Sequence, residues 1–259
     1  MSEIPYISIV VPAYNEARRL PPALEKLAAF CRDLGRSYEV LVIVERSTDG
    51  TLEIAARFAA QQAHFQAVDN AVQRGKGYAV RSGMLRARGE LVFYIDADLS
   101  VPLAAVPEFL ARFETAPRAD VLLGNRQHAM SRITRRQSWL RRTMGQTFNR
   151  ILKTCALASL HDTQCGLKAF RREAAHAIFS RQTLDGFAFD VEVLLLADLL
   201  GYKIADLPVE WLNSGESKVR ILHDSLAMLR DTLRVRRLVE KNLAPGQCIS
   251  TAHEPRPPR

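Results

Sequence analysis

The amino-acid sequence predicts an α/β fold, a mainly parallel sheet flanked by helices, on three observations. Short apolar runs alternate with helical patterns through the first half of the 259 residues, the signature of parallel strands joined by helical crossovers. One run, Leu91-Val92-Phe93-Tyr94-Ile95, delivers Asp96 and Asp98 from its C-terminal end, and strand ends are where open α/β sheets bind ligands. The composition, 47% hydrophobic and 25% charged, is that of an ordinary folded chain long enough to bury a full core.

Residues 6–11 read as the first strand, followed by strands over 38–44, 65–68, 90–95 and 119–123. Helices fall between them. One covers 22–34, with proline in a first turn that tolerates it; the next covers 52–62 behind a Ser47-Thr48-Asp49 cap, and a third 78–87. The second half is less regular. It offers a helix over 138–157, the segment Asp162-Thr163-Gln164-Cys165-Gly166-Leu167-Lys168-Ala169-Phe170, short helices over 173–179 and 190–200, and a strand over 203–209 that rejoins the sheet. A last helix, 219–241, sets Val219, Leu222, Leu226, Leu229 and Leu233 on one stripe flanked by Arg230, Arg234, Arg237 and Lys241. Such a helix suits a membrane interface, its arginines snorkelling toward lipid phosphates, and equally suits packing on the core. After residue 243 the sequence turns polar and proline-rich, which predicts a disordered tail. The expected organisation is one domain over 1–217, an amphipathic helix over 218–242 and a tail over 243–259.

The net charge of +8 is unevenly placed. Between Val121 and His161 there is no acidic residue, while Arg126, Arg132, Arg135, Arg136, Arg141, Arg142, Arg150 and Lys153 fall there. A solvated basic face is the plain reading; the alternative is an anionic partner. Few aromatics are interleaved for base stacking and no nucleic-acid-binding motif is present, so lipid head groups or a phosphorylated substrate fit better than nucleic acid. No apolar run is long enough to span a bilayer and residues 1–5 lack signal-peptide character, which predicts a cytoplasmic protein. Cys31, Cys155, Cys165 and Cys248 have no metal-ligand spacing and read as free thiols.

Asp96 and Asp98 are hard oxygen donors spaced for one site, and suit Mg²⁺ or Mn²⁺ carrying a diphosphate, since such ions take one or two carboxylates and fill their remaining positions with water and phosphate oxygens. Taken alone, the pair reads as two acids in a solvated turn. Its company argues otherwise. The first strand ends in Val11-Pro12-Ala13-Tyr14-Asn15-Glu16, the second in Glu45-Arg46-Ser47-Thr48-Asp49-Gly50-Thr51, the third helix is entered by Arg74-Gly75-Lys76-Gly77, and the fifth strand ends in Gly124-Asn125-Arg126. With the segment from Asp162 to Phe170, this ordered set resembles the family 2 glycosyltransferases of the GT-A fold, in their polyprenyl- and dolichyl-phosphate branch, from Ile7 to about Arg237.

The resemblance implies an inverting transfer of a hexose, glucose in the branch most alike, from a UDP- or GDP-linked sugar to a polyprenyl phosphate at a cytoplasmic membrane face. It places Pro12, Tyr14 and Glu16 on the nucleoside, Lys76 by the base or diphosphate, Asp96 on ribose or metal, and Asp98 as the main metal ligand. Arg126, with one of Arg135, Arg136, Arg141 or Arg142, would take the acceptor phosphate, beside a loop carrying Asp162 and Gln164. That phosphate is already an anion and needs cationic positioning rather than a general base, a task suited to arginine. A hydroxyl acceptor would need a carboxylate base, for which Asp190 is the candidate, its plainer role being a helix N-cap. Asp162 has a plainer role too, ordering the Thr163-Gln164-Cys165 turn.

Two departures stand out. Where most relatives carry Asp-Asp-Gly-Ser after the second strand, this chain has Val44-Glu45-Arg46-Ser47. Glu45 takes the place of the second aspartate, and the loss of the first predicts altered base recognition. The chain also lacks the membrane-spanning segment common among relatives, for which the helix over 219–241 is a peripheral substitute. Outside enzymes, a noncatalytic nucleotide-sugar sensor is the alternative, disfavoured by retention of both aspartates.

Overall fold

The computed structural model describes residues 4–115, 118–126 and 162–212, with positions 231, 234, 235, 237–239 and 241. Among them lies a sheet of seven strands: β1 (Ile7–Ala13), β2 (Tyr38–Val44), β3 (Phe65–Asp69), β4 (Leu91–Ile95), β5 (Val121–Asn125), β6 (Leu167–Arg171) and β7 (Ile204–Pro208). The spatial order is β3-β2-β1-β4-β6-β5-β7. β6 runs antiparallel to both neighbours, and every other pairing is parallel. The order reverses between β1 and β4, which opens a crevice at their C-terminal ends, the place for a ligand in such sheets.

Strand runs are almost wholly apolar because both faces are covered. On one face Ile9, Val11, Val42, Phe93 and Ile95 pack against α1 (Leu20–Asp33), α2 (Thr51–Gln61) and α4 (Val106–Glu114) through Leu24, Leu27, Ala55 and Phe109. On the other Val10, Leu41, Ile43, Val92 and Tyr94 pack against α3 (Lys76–Arg86), α5 (Arg172–Phe179) and α6 (Phe189–Leu199) through Val80, Met84, Ile178, Phe189 and Leu194. Each such large side chain taken fully from water contributes about 2 kcal/mol. Tight seams demand glycine on α3. A Cβ at Gly77 would sit 2.5 Å from the Leu184 carbonyl oxygen and 2.6 Å from Phe189 Cβ.

The predicted strands and the first three helices are present within a few residues, and β7 rejoins the sheet as expected, its neighbour being β5. Two elements were not predicted. α4 buries Val106, Phe109, Leu110 and Phe113 at helical spacing behind a 3₁₀ turn (Leu103–Ala105). β6 occupies what reads in sequence as a loop. α2 starts at Thr51 behind Gly50 at φ +78°; Asp49 Oδ1 accepts the Thr51 N–H at 3.2 Å, while its Oδ2 and Ser47 bond to the loop after β1.

The helix predicted over 138–157, the basic residues Arg132 to Lys153, the stripe Val219 to Leu233 and the tail lie outside the described residues. Positions 231, 234, 235, 237–239 and 241 are helical. Val235 and Val239, one turn apart, are fully buried in the second core layer, while Arg234, Arg237 and Lys241 are exposed. No helix among the described residues is long and apolar enough to cross a membrane. Cys31 and Cys165 are buried free thiols, whose burial raises them to about 12 and about 11.

Candidate active site

The crevice between β1 and β4 is built from the loops that follow β1, β2 and β4 and from the first turn of α3. After β1, Asn15 takes the left-handed conformation (φ +52°) that asparagine tolerates better than most residues. Its N–H donates to Ser47 Oγ at 3.0 Å and its Oδ1 accepts the Thr48 N–H at 2.8 Å. The Glu16 N–H donates to Thr51 Oγ1 at 2.8 Å and the Ala17 N–H to Asp49 at 3.1 Å. The loop carrying Tyr14 and Glu16 is thereby stitched to the one after β2. The Glu16 carboxylate accepts Arg19 Nε at 2.6 Å, and Pro12, on β1 itself, is partly buried.

Glu45 is buried and accepts the backbone N–H groups of Arg74 and Gly75 at 3.1 and 2.8 Å. It thus fixes the entry to α3 rather than presenting a carboxylate to solvent. Val44 is fully buried among the first core layer, so its position offers no polar group to a base. Lys76, the first residue of α3, reaches Asp96 Oδ1 at 2.7 Å across the Tyr94 ring, whose centroid lies 5.7 Å from the ammonium. Burial raises Asp96 above the ordinary carboxylate range against the pull of Lys76. Burial works against the Lys76 ammonium, but Asp96, Asp190 and Asp98 outweigh it and the lysine stays a cation.

Beyond β4 the chain turns sharply. The Leu99 N–H donates to the Asp96 carbonyl at 3.0 Å with Leu99 at φ +47°, and the Asp98 carboxylate accepts the N–H of Ser100 at 3.0 Å as well as its hydroxyl. Asp96 and Asp98 therefore flank one tight turn, with Ala97 buried between them. The Asp96 N–H donates to the Gly166 carbonyl at 3.0 Å, and a Cβ at Gly166 would collide with the Asp96 carboxylate.

On the other side of β6, Arg126 leaves the end of β5 and Asp162 enters the turn before β6. The Asp162 carboxylate accepts the Arg126 backbone N–H, Nε and Nη2 at 2.9, 2.7 and 2.8 Å. Asp162 is buried, which alone would raise its pKa, but the bonds and charge of Arg126 hold it below the usual range. The guanidinium also lies over the Trp211 ring, 5.7 Å from the centroid. Gln164 is partly buried in the intervening turn.

Asp190 is not a helix cap. It sits inside the first turn of α6, behind Ala188, which makes no side-chain cap bond. Its Oδ1 accepts the Tyr94 hydroxyl and the Lys168 ammonium, each at 2.6 Å. Lys168 is fully buried, opposite Tyr94 in the β4–β6 register, and also donates to the Cys165 carbonyl at 2.9 Å. Sequence reasoning missed Lys168 and Tyr94 as site residues; the available signal was a lone lysine inside the apolar run Leu167 to Phe170. It also missed Asp185, whose carboxylate takes Arg74 Nε at 2.8 Å and Arg81 at 3.2 Å while its carbonyl accepts the Tyr78 N–H, bracing the first turn of α3. Arg135, Arg136, Arg141 and Arg142 lie outside the described residues.

A family model, Glycosyl transferase family 2, matches residues 8–179. The chain belongs to that family. This transferase is 33% identical over 242 residues to the dolichyl-phosphate beta-glucosyltransferase of Dictyostelium discoideum, covering 89% of the chain and 74% of the relative. It is 31% identical to a dolichyl-phosphate beta-glucosyltransferase of Trichomonas vaginalis, covering 83% of the chain and 66% of that relative, slightly under two thirds of its length. Its fold matches the glucosyl-3-phosphoglycerate synthase of Mycobacterium tuberculosis solved with Mn²⁺, uridine-diphosphate and glucosyl-3-phosphoglycerate, at a TM-score of 0.64 and 20% identity over 93% of the chain and 82% of that structure. The architecture is accordingly the GT-A fold, a mostly parallel sheet with helices on both faces.

Proposed function

We propose that this transferase moves a hexose, glucose, from a UDP- or GDP-linked sugar to a polyprenyl or dolichyl phosphate at the cytoplasmic membrane face, inverting the anomeric centre. The observation that carries the choice of acceptor is the pairing of the carboxylates. Asp96 is held by Lys76, Asp162 by Arg126 and Asp190 by Lys168. A hydroxyl acceptor would need a base to take its proton, and Asp190, the candidate, already accepts two hydrogen bonds on one oxygen while buried. A phosphate acceptor needs no base. An oxygen of the lipid phosphate attacks the anomeric carbon, the bond from that carbon to the diphosphate breaks, and the electron pair leaves with the diphosphate. No proton has to move.

Glucose and the lipid phosphate are taken from the names of the relatives. A divalent ion fits the donor set: two hard carboxylates on one turn suit Mg²⁺ or Mn²⁺ completed by water and phosphate oxygens. Among the described residues no three-residue cluster of His, Cys, Asp and Glu forms a cage that would hold an ion without substrate. Asp96 and Asp98 would hold it, and bound there it would neutralise charge developing on the leaving diphosphate. In this reading Lys76 takes a donor phosphate and Arg126 the acceptor phosphate, aided by arginines of the block at 132–142. The nucleoside falls to Pro12, Tyr14 and Glu16, in a pocket where Val44 offers no carboxylate. Residues 1–217 form the transferase domain in this reading, and the exposed arginines of the last helix offer a peripheral attachment.

The test is release of nucleoside diphosphate from a panel of UDP- and GDP-sugars with Mg²⁺ or Mn²⁺, with and without a short polyprenyl phosphate. Release that requires the lipid phosphate is expected. Turnover that ignores it, or that instead requires a sugar hydroxyl, would overturn the acceptor.

A further inference from the structure

A fully buried ammonium is expensive, and an apolar side chain of similar volume at Lys168 would fill the same layer at no net loss of stability if its partner were neutralised too. The surroundings of Lys168 point to what the charge does. Its three partners are the Asp190 carboxylate, the Tyr94 hydroxyl and the Cys165 carbonyl, at 2.6, 2.9 and 2.9 Å. The last of these leads to the metal and donor residues. Cys165 precedes Gly166, whose carbonyl accepts the Asp96 N–H at 3.0 Å and whose Cα leaves no room for a side chain beside the Asp96 carboxylate. Tyr94, two residues before Asp96, is bonded to the same lysine and carries the Lys76 ammonium over its ring.

We infer that Lys168 is a positioning residue: through the Cys165–Gly166 turn it fixes the backbone and carboxylate of Asp96 for the divalent ion, with Asp190 as its counter-charge rather than a base. The inference rests on the reading of Asp96 and Asp98 as the ion's carboxylates. A planar wall formed by a glycine holds a carboxylate only if the turn bearing it cannot slide. Lys168 ties that turn to α6 through Asp190 and to β4 through Tyr94. Without the ammonium, the Cys165 carbonyl keeps only the long bond from the Tyr94 hydroxyl, at 3.5 Å, and the turn bearing Gly166 is freer to shift against the Asp96 carboxylate while both strands remain paired.

The experiment is Mn²⁺ binding, followed by electron paramagnetic resonance with UDP and separately with GDP present, which needs no acceptor and no turnover. Lys168→Met with Asp190→Asn removes both buried charges together and leaves an oxygen for the Tyr94 hydroxyl. The double variant should stay folded by circular dichroism and bind Mn²⁺ about tenfold more weakly; Asp190→Asn alone, which leaves the buried ammonium without its counter-charge, should lose stability as well as affinity. A folded double variant with parental affinity would overturn the inference. Should the double variant not fold, Lys168→Met alone decides, because the remaining Asp190 carboxyl can take up a proton and still bond the Tyr94 hydroxyl; parental Mn²⁺ affinity in that folded variant also overturns the inference. A parent that binds no Mn²⁺ with either nucleotide sinks the donor-site reading itself, while loss of lipid-dependent turnover leaves the Mn²⁺ result standing.

Discussion

Asp162→Asn breaks the pair that joins the end of β5 to the start of β6, and its cost can be worked from the geometry. Asp162 accepts three hydrogen bonds from one residue, all between 2.7 and 2.9 Å, with its side chain 3% exposed and that of Arg126 25% exposed. Breaking a buried ion pair by removing one partner costs about 3–5 kcal/mol. Asparagine retains an acceptor for one or two of the bonds and Arg126 still reaches some water, so the expected loss is about 2–3 kcal/mol. In a domain of this size that lowers the melting midpoint by about 4–12 °C. The pH dependence has a definite sign. Because Arg126 holds Asp162 below its unfolded pKa, the pair's stabilisation is fully present above that unfolded value, about 3.9, and is lost as pH falls through the lower folded value. Urea unfolding of parent and variant from neutral pH down to pH 3 is the assay. The gap should be constant above about pH 5 and should narrow toward the acid end. A variant as stable as its parent at pH 7, or a gap that widens in acid, would refute the reasoning.

Two further outcomes follow from the site and the seams around it. Asp98→Asn should reduce the rate of donor turnover by about a hundredfold or more, the scale on which removing one group that stabilises transition-state charge is felt, while leaving the melting midpoint near that of the parent; an unaltered rate constant at saturating Mn²⁺ would remove Asp98 from the site. Gly77→Ala, with its Cβ 2.5 Å from the Leu184 carbonyl oxygen, should cost about 1–3 kcal/mol in thermal unfolding through overpacking and raise the donor KM, since it pushes the first turn of α3 away from its seat.

What was legible in the sequence was whatever local patterning dictates. β1, β2 and β4 are apolar runs bounded by turn residues, and both faces of the sheet are covered, so no competing period obscured them. That Asp96, Lys76 and Arg126 gather at one end of the sheet was legible because each follows a strand or opens a helix. β6 was not, because a lysine at its second position contradicts a buried strand unless its partners are known, and Tyr94 and Asp190 are 74 and 22 residues away. α4 carried a readable helical pattern that Pro102 and Pro107 interrupt. Glu45 stood out as a departure, yet its bonds to the backbone of Arg74 and Gly75 depend on a loop 29 and 30 residues on. Asp190 offers two readings in sequence, a base for a hydroxyl acceptor and a helix N-cap, and its burial against Lys168 and Tyr94, sequence-distant partners, is what sequence could not show.

The reversed direction of β6 has a consequence for how the end of the sheet is closed. A parallel strand would return its preceding connection to the far edge of the sheet, but β6 starts where β4 and β5 end. The chain therefore departs for residues 127–161 at Arg126 and comes home at Asp162 beside its own point of departure, and those two residues grip each other. The pair acts as a clasp between the end of β5 and the start of β6. The registers of β4, β5 and β6 are set by their own pairing and by this ion pair, so the end of the sheet is closed independently of the number of residues that separate Arg126 from Asp162.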